Sequence, residues 1–371
     1  MTELDNKLLN LFEKLTSTPS PSNFEMSVQE ILKDFLEQYV DDCWIDVQGN
    51  LIAHKKGQSD KTLMLIAHAD EIGFMVKYID EAGFVRFTKI GGVDVNLLQG
   101  LKVAIYHNGE KIQGVIGRKP IHMRTDEKEN GKPTEIGELW IDIGASSKEE
   151  AEKMVSIGDI ITFETSFSTL PNNLVTCKST DDKVGLLVMA SVLKNLAQYK
   201  TDANLYIVSS AQEEIGLRGA ITATYNINPD VCIAIDVTHA TDYPTVNKNI
   251  YGDIKLNSGV VISLGANVNS QLQAQLKELA ISKNINYQIQ ALPIRSGTDA
   301  NAVQISRGGV ITGLVCIPCR YMHSPIEVVS KNDICSAISL LTEFCKTEKW
   351  EILVKPFKRK EQDGNYSRII E

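Results

Sequence analysis

The sequence predicts an α/β fold: a mixed sheet sandwiched between helices, with a small β-rich domain inserted into it. Three observations carry that expectation. Compact apolar runs alternate with helical periodicity from Asp181 onward. The stretch 73–165 replaces that alternation with short β-type runs and many glycines. The helices and strands before the break need the later sheet to cover their apolar faces. At 371 residues the chain also exceeds the usual single-domain size. Residues 1–72 and 166–371 are therefore expected to form one discontinuous domain, with 73–165 as the insertion.

Val28, Ile31, Leu32, Phe35, Leu36 and Tyr39 recur at the three-and-four spacing of one helix face, so the first forty residues read as helical. Strand-like runs follow at Cys43 to Val47, at Leu51 to His54 across a Gly49-Asn50 turn signal, and at Leu63 to Ala67. Within the insertion only Ser147 to Met154 has helical character. Arg118 to Gly137 is polar, has no apolar period, and reads as a mobile loop. Val184, Leu187, Ala190, Val192, Leu193 and Leu196 then mark a helix, and Leu272, Leu276, Leu279 and Ala280 another. Leu205 to Ser209, Val231 to Ile235 and Val310 to Ile317 are buried-strand runs between and after them. The charged tail from Lys355 is expected to leave the core.

Composition narrows the function. The apolar fraction of 43% and charged fraction of 23% are those of an ordinary globular enzyme. No apolar stretch approaches the roughly 20 residues that span a bilayer, and Met1 to Lys7 lacks the regions of a signal peptide. A cytoplasmic protein without membrane partners is expected. The net charge of −9 argues against general nucleic-acid binding. Seven scattered cysteines read as reduced thiols; Cys316 and Cys319 have CxxC spacing, but a strand would point them to opposite faces.

The chemistry concentrates at apolar-to-polar steps, where the strand ends of an open α/β sheet form the functional rim. His68 ends the run from Leu63 and is followed two residues on by Asp70, placed to orient an imidazole. Asp181-Asp182 precedes a helix, where a capping carboxylate is the plainer reading. Glu213-Glu214 follows the Leu205 run, Asp236 ends the Val231 run, and His323 follows the Val310 run. Each feature alone is ambiguous. Oxygen and nitrogen donors gathered on one rim favour a shared metal centre.

Taken together, His68-Ala-Asp70-Glu-Ile-Gly73, Asp181-Asp-Lys-Val-Gly185, Gln212-Glu-Glu-Ile-Gly216, Ala234-Ile-Asp236, Ser296-Gly-Thr-Asp-Ala300 and Arg320-Tyr-Met-His-Ser-Pro325 resemble metallopeptidase family forty-two. That family includes glutamyl and deblocking aminopeptidases and the tetrahedral (TET) aminopeptidases. The resemblance runs from about Leu8 to Val354 and reaches the insertion through Ile141 to Ser146 and Gly158-Asp159. It implies a metalloaminopeptidase acting on peptides with two divalent ions per subunit, zinc first and cobalt or manganese as alternatives. Asp181 would bridge the ions, Glu214 and His323 would complete one site, and His68 and Asp236 the other. Glu213 would be the general base and Asp70 the partner of the first histidine. A cis Asp181–Asp182 peptide is implied as well, with the insertion as a dimerisation domain in a homo-oligomer of up to twelve subunits. His122 in the polar loop is a weak candidate for a role at a neighbouring site. His54, His107 and His239 read as ordinary, and Thr298 and Asp299 as helix-cap residues. A glycoside hydrolase using paired carboxylates is the alternative enzyme class, but it needs no histidine ligands. A non-catalytic metal-binding scaffold is the third reading.

Overall fold

Asp5 caps the first helix, its carboxylate accepting the Leu8 N–H at 2.9 Å. That helix, α1 (Asn6–Ser17), buries Leu8, Leu11, Phe12 and Leu15, and α2 (Met26–Leu36) buries Val28, Leu32, Phe35 and Leu36. The computed structural model describes residues 4–123 and 133–347. Strands β1 (Asp42–Ile45) and β2 (Leu51–Lys55) pair antiparallel across a turn in which Gly49 takes φ +93°. β3 (Thr62–His68) follows.

The chain then leaves the sheet. β4 (Gly73–Ile79), β5 (Val85–Ile90), β6 (Lys102–His107), β7 (Glu110–Gly117), β8 (Trp140–Asp142) and β9 (Ile160–Phe163) close an antiparallel barrel in the order β4-β5-β8-β7-β6-β9. Closure leaves no unpaired strand edge. Its apolar cluster is separate from those of the large sheet. At its centre the fully buried Phe74 stands edge-on to Phe87 and Phe163, with ring centroids 5.1 and 5.3 Å away. The helix expected over Ser147 to Met154 is one turn, α3 (Lys148–Ala151), capped by Ser147. Much of the loop expected from Arg118 to Gly137 lies outside the described residues, as does the tail from Lys355. At the loop's described ends, Arg118 donates to Thr134 and Glu138.

β10 (Ser168–Leu170) and β11 (Leu174–Cys177) return the chain to the sheet and lead into α4 (Thr180–Asn195). Then come β12 (Asn204–Ser210), α5 (Arg218–Ile227), β13 (Val231–His239), α6 (Lys248–Tyr251), β14 (Val260–Gly265), α7 (Ser270–Ser282) and β15 (Tyr287–Leu292). The chain finishes with α8 (Ala300–Gln304), β16 (Ile311–Arg320), β17 (Glu327–Ser330) and α9 (Lys331–Cys345). The sheet has eleven strands in the order β1-β2-β12-β3-β13-β16-β17-β11-β10, with β14 and β15 branching from β16. β12, β3, β13 and β16 run parallel at its centre, and antiparallel strands flank them. The fold is therefore the expected mixed α/β sheet with a small β domain. Its parallel centre brings four strand C-termini to one rim.

Periodicity marked one apolar face of α4, but the structure buries the helix all round from Thr180 to Leu193. It packs on β3 and β13 and is covered by α1, α2 and α9. Cys316 and Cys319 point into different apolar clusters on the two faces of the sheet, as strand alternation requires. Among the described residues no helix is long and apolar enough to cross a membrane.

Candidate metal centre

His68 is the last residue of β3, with 2% of its side chain exposed. Its Nε2 lies 3.0 Å from Oδ1 of Asp181, while Oδ2 of the same carboxylate lies 3.2 Å from Nε2 of His323. His323 Nε2 is also 3.4 Å from Oε1 of Glu214. Asp181 and Asp182 open α4 with non-helical backbone angles, and the peptide bond between them is cis. Asp236 was expected to end its strand, yet it lies inside β13, which continues through Val237 and Thr238 to His239. The buried carboxylate nevertheless reaches the pocket. Donor atoms of His68, Asp182 and Asp236 lie within 4.8 Å of one another, as do those of His68, Asp181 and Glu214.

Asp182 does two things at once. Its Oδ1 accepts the Gly185 N–H at 3.1 Å and caps α4, while Oδ2 is buried without a hydrogen-bond partner. The capping role weighed for the Asp-Asp pair thus belongs to its second member. Asp70 organises the opposite wall. Its Oδ1 accepts the Glu213 N–H at 2.9 Å, and its Oδ2 accepts the Glu214 N–H at 3.1 Å and the Ser22 hydroxyl at 2.6 Å. Its carboxylate is 3.5 Å from His68 Nδ1, whose nearer neighbour is the Asp70 carbonyl oxygen at 3.1 Å.

The electrostatics record a surplus of negative charge. Burial, with repulsion from Asp236, pushes the Asp182 carboxyl well above its usual range. Burial, with the Asp236 and Asp299 charges, does the same to Glu213, and burial with the Asp181 charge does so to Asp236. Burial also raises Glu214. Asp181 goes the other way: burial opposes its ionisation, but His323 and His68 hold it below the carboxylate range. Bonds to Asp181 and Glu214 push His323 up to about 11. Burial works against a charged His68, yet Glu213, Asp181 and Asp70 raise it well above its ordinary value. Two imidazoles cannot neutralise this many buried carboxylates. A mixed oxygen and nitrogen donor set carrying excess negative charge fits divalent cations.

Similarity to known proteins agrees with this chemistry. The family model of the M42 glutamyl aminopeptidases matches residues 49–340. This chain belongs to the M42 glutamyl aminopeptidase family. It is 37% identical over 332 residues to the lysyl aminopeptidase of Pyrococcus furiosus, covering 89% of this chain and 94% of that one. An aminopeptidase structure from the archaeon Desulfurococcus kamchatkensis superposes with a TM-score of 0.88 at 37% identity, over 94% of this chain and 96% of that one. The TET1 peptidase of Pyrococcus horikoshii, which can assemble into a tetrahedron or a large octahedral shell, gives a TM-score of 0.82 at 29% identity. That match covers 91% of this chain and 99% of the other. The M42 chain described here is thus an aminopeptidase, a hydrolase of peptide bonds.

Other residues of this M42 aminopeptidase fall as follows. His54 sits 3.4 Å from Asp42 and stacks on Tyr206, and His107 pairs with Asp159 at 2.9 Å. Partial burial and His323 lower the His239 imidazole, which ends β13 near the rim. His122 is exposed in a short turn beside the barrel. Asp299 makes no side-chain cap bond. It is buried, accepts the Ser210 hydroxyl at 2.5 Å, and burial pushes its carboxyl up to about 6. Ser22 and Glu327 escaped the sequence reading, because their partners are distant in the chain or are backbone groups.

Proposed function

We propose that this aminopeptidase removes N-terminal residues from peptides with two divalent metal ions per subunit, zinc first and cobalt or manganese as alternatives. Glu214 and His323 would hold one ion, His68 and Asp236 the other, and Asp181 would be shared. One observation carries this reading: the two oxygens of Asp181 face different imidazoles, His68 at 3.0 Å and His323 at 3.2 Å. A carboxylate placed between two nitrogen donors is what a bridging ligand requires. Ions bound there supply Lewis acidity toward the scissile carbonyl and lower the pKa of water toward neutrality.

The protein's own groups do the rest. Glu213, pushed by burial toward holding a proton, takes one from the attacking water and delivers it to the leaving amine. Asp70 fixes the backbone at Glu213 and Glu214. The remaining negative charge of the pocket attracts a free α-ammonium group, which suits attack on the first residue only. Chelation followed by metal add-back, read on a panel of aminoacyl-chromophore substrates, tests this. Activity should vanish and return; hydrolysis of a cellulose fragment that survives chelation would favour the glycosidase reading instead.

The unit 73–165 is proposed as the association domain of a homo-oligomer, a dimer first and a twelve-subunit shell beyond it. In support, among the described residues it contributes none of the proposed donors, and the Pyrococcus horikoshii relative can assemble into a tetrahedron or a large octahedral shell. A cytoplasmic location accords with seven cysteines of which none is in a disulfide. Light scattering after gel filtration, with and without metal, tests assembly; a monomer throughout would refute it.

A further inference from the structure

Glu327 opens β17, opposite Cys177 of β11, with only 2% of its surface exposed. Its two oxygens serve two different segments. Oε2 accepts the Thr180 hydroxyl at 2.6 Å and the Asp181 N–H at 3.1 Å. Oε1 accepts the His323 N–H at 3.1 Å. Asp181 and Glu327 are 146 residues apart in sequence. One carboxylate thereby joins the start of α4 to the turn that carries His323.

Both joined segments hold backbone conformations that side chains disfavour. Ser179, just before Thr180, takes φ +49°, while Tyr321 and His323 take φ +64° and +61°. Left-handed residues other than glycine persist only where their surroundings hold them. Glu327 supplies such a hold on the His323 side through that residue's own N–H, and on the α4 side one and two residues beyond Ser179. A carboxylate suits the task because each of its two oxygens can accept. An amide in its place would turn an N–H toward an N–H on one side.

What the Glu327 carboxylate provides is the relative placement of Asp181 and His323, whose side chains meet at 3.2 Å.

We propose that Glu327 is a positioning residue that locks the Asp181 and His323 segments into one geometry and thereby sets the metal affinity of the pocket. This rests on the reading of that pocket as a metal centre. Asp70 does the matching work on the other wall, for His68, Glu213 and Glu214.

The test is cobalt binding to metal-stripped full-length protein, followed by titration calorimetry and the visible absorption of the bound ion, beside thermal unfolding without metal. Glu327→Gln should weaken cobalt binding about 10- to 100-fold, the range for groups that orient ligands, and alter the absorption band. Metal-free Glu327→Gln should still unfold cooperatively, at a midpoint lowered modestly by the mismatched N–H groups. Thr180→Val removes one donor of three and should weaken binding less. Cobalt affinity unchanged in Glu327→Gln overturns the proposal. So does a metal-free Glu327→Gln that shows no cooperative unfolding transition, since that marks a purely structural role. Wild-type protein that binds no cobalt would instead refute the metal-centre reading, and this inference with it.

Discussion

The backbone N–H of Glu213 donates to Oδ1 of Asp70 at 2.9 Å, joining the end of β3 to the loop after β12 across 143 residues of sequence. The other Asp70 oxygen accepts from Glu214 and Ser22, so this side chain places the proposed base and one proposed ligand together. Asp70→Asn would aim an amide N–H at one of those donors. The expected result is a fall of about 10- to 100-fold in kcat/KM and a loss of about 1–3 kcal/mol of stability, the cost of an unmatched buried donor. Steady-state kinetics and urea unfolding measure the two. Wild-type values in both would show that the loop is held by other contacts.

A second buried carboxylate, bonded to none of the proposed donors, predicts a pH effect on stability. Asp333 sits in the first turn of α9, accepting the Gly259 N–H at 2.6 Å and the Asn257 N–H at 2.8 Å, with Asp242 the charged group facing it. Burial, aided by Asp242, pushes its carboxyl up to about 7. Folding thus raises this pKa, so the folded state keeps a proton that the unfolded chain has released. Its stability contribution is full below about pH 4 and is lost as pH rises to about 7, at about 1.4 kcal/mol per unit. Asp333→Asn removes that dependence while turning an amide N–H toward one of those backbone donors, a cost of about 1–3 kcal/mol that is the same at every pH. Between pH 5 and pH 8 the variant should gain about 2–4 kcal/mol on the wild type in urea unfolding. Parallel stability profiles would contradict this.

The barrel depends on its aromatic centre. Phe74 is fully buried and meets both Phe87 and Phe163 edge-on. Phe74→Ala should lower unfolding stability by about 3–5 kcal/mol, the transfer loss plus the cavity left behind. A cost under 1 kcal/mol in urea unfolding would mean that the barrel collapses around the gap.

How much of this was legible in sequence follows from physical chemistry. β3, β12, β13 and β16 are covered on both faces, so they read as continuous apolar runs. β10, with all three residues exposed, has no apolar pattern to detect, and β14 with β15 branches off the sheet instead of extending it. α4 is buried all round, so its one-sided periodicity understated it. The proposed donors stood out because each stands near the step from an apolar run to polar chain. Asp236 was misplaced because a carboxylate looks like the end of a strand, although here the strand runs on. Asp299 resembled a cap but bonds to Ser210. The holds by Asp70 and Glu327 on backbone N–H groups 143 and 146 residues away leave no local trace in sequence.

The central claim is that Glu213 moves the proton while Asp181 holds the metals. Metal analysis of purified Glu213→Gln and Asp181→Ala, beside their turnover of an aminoacyl-chromophore substrate, tests it most directly. Glu213→Gln should keep the wild-type metal content and lose about 10²- to 10⁴-fold in kcat, the range for general acid–base groups, whereas Asp181→Ala should lose the metal itself. Equal metal loss in the two variants, or wild-type turnover by Glu213→Gln, would contradict that division of roles.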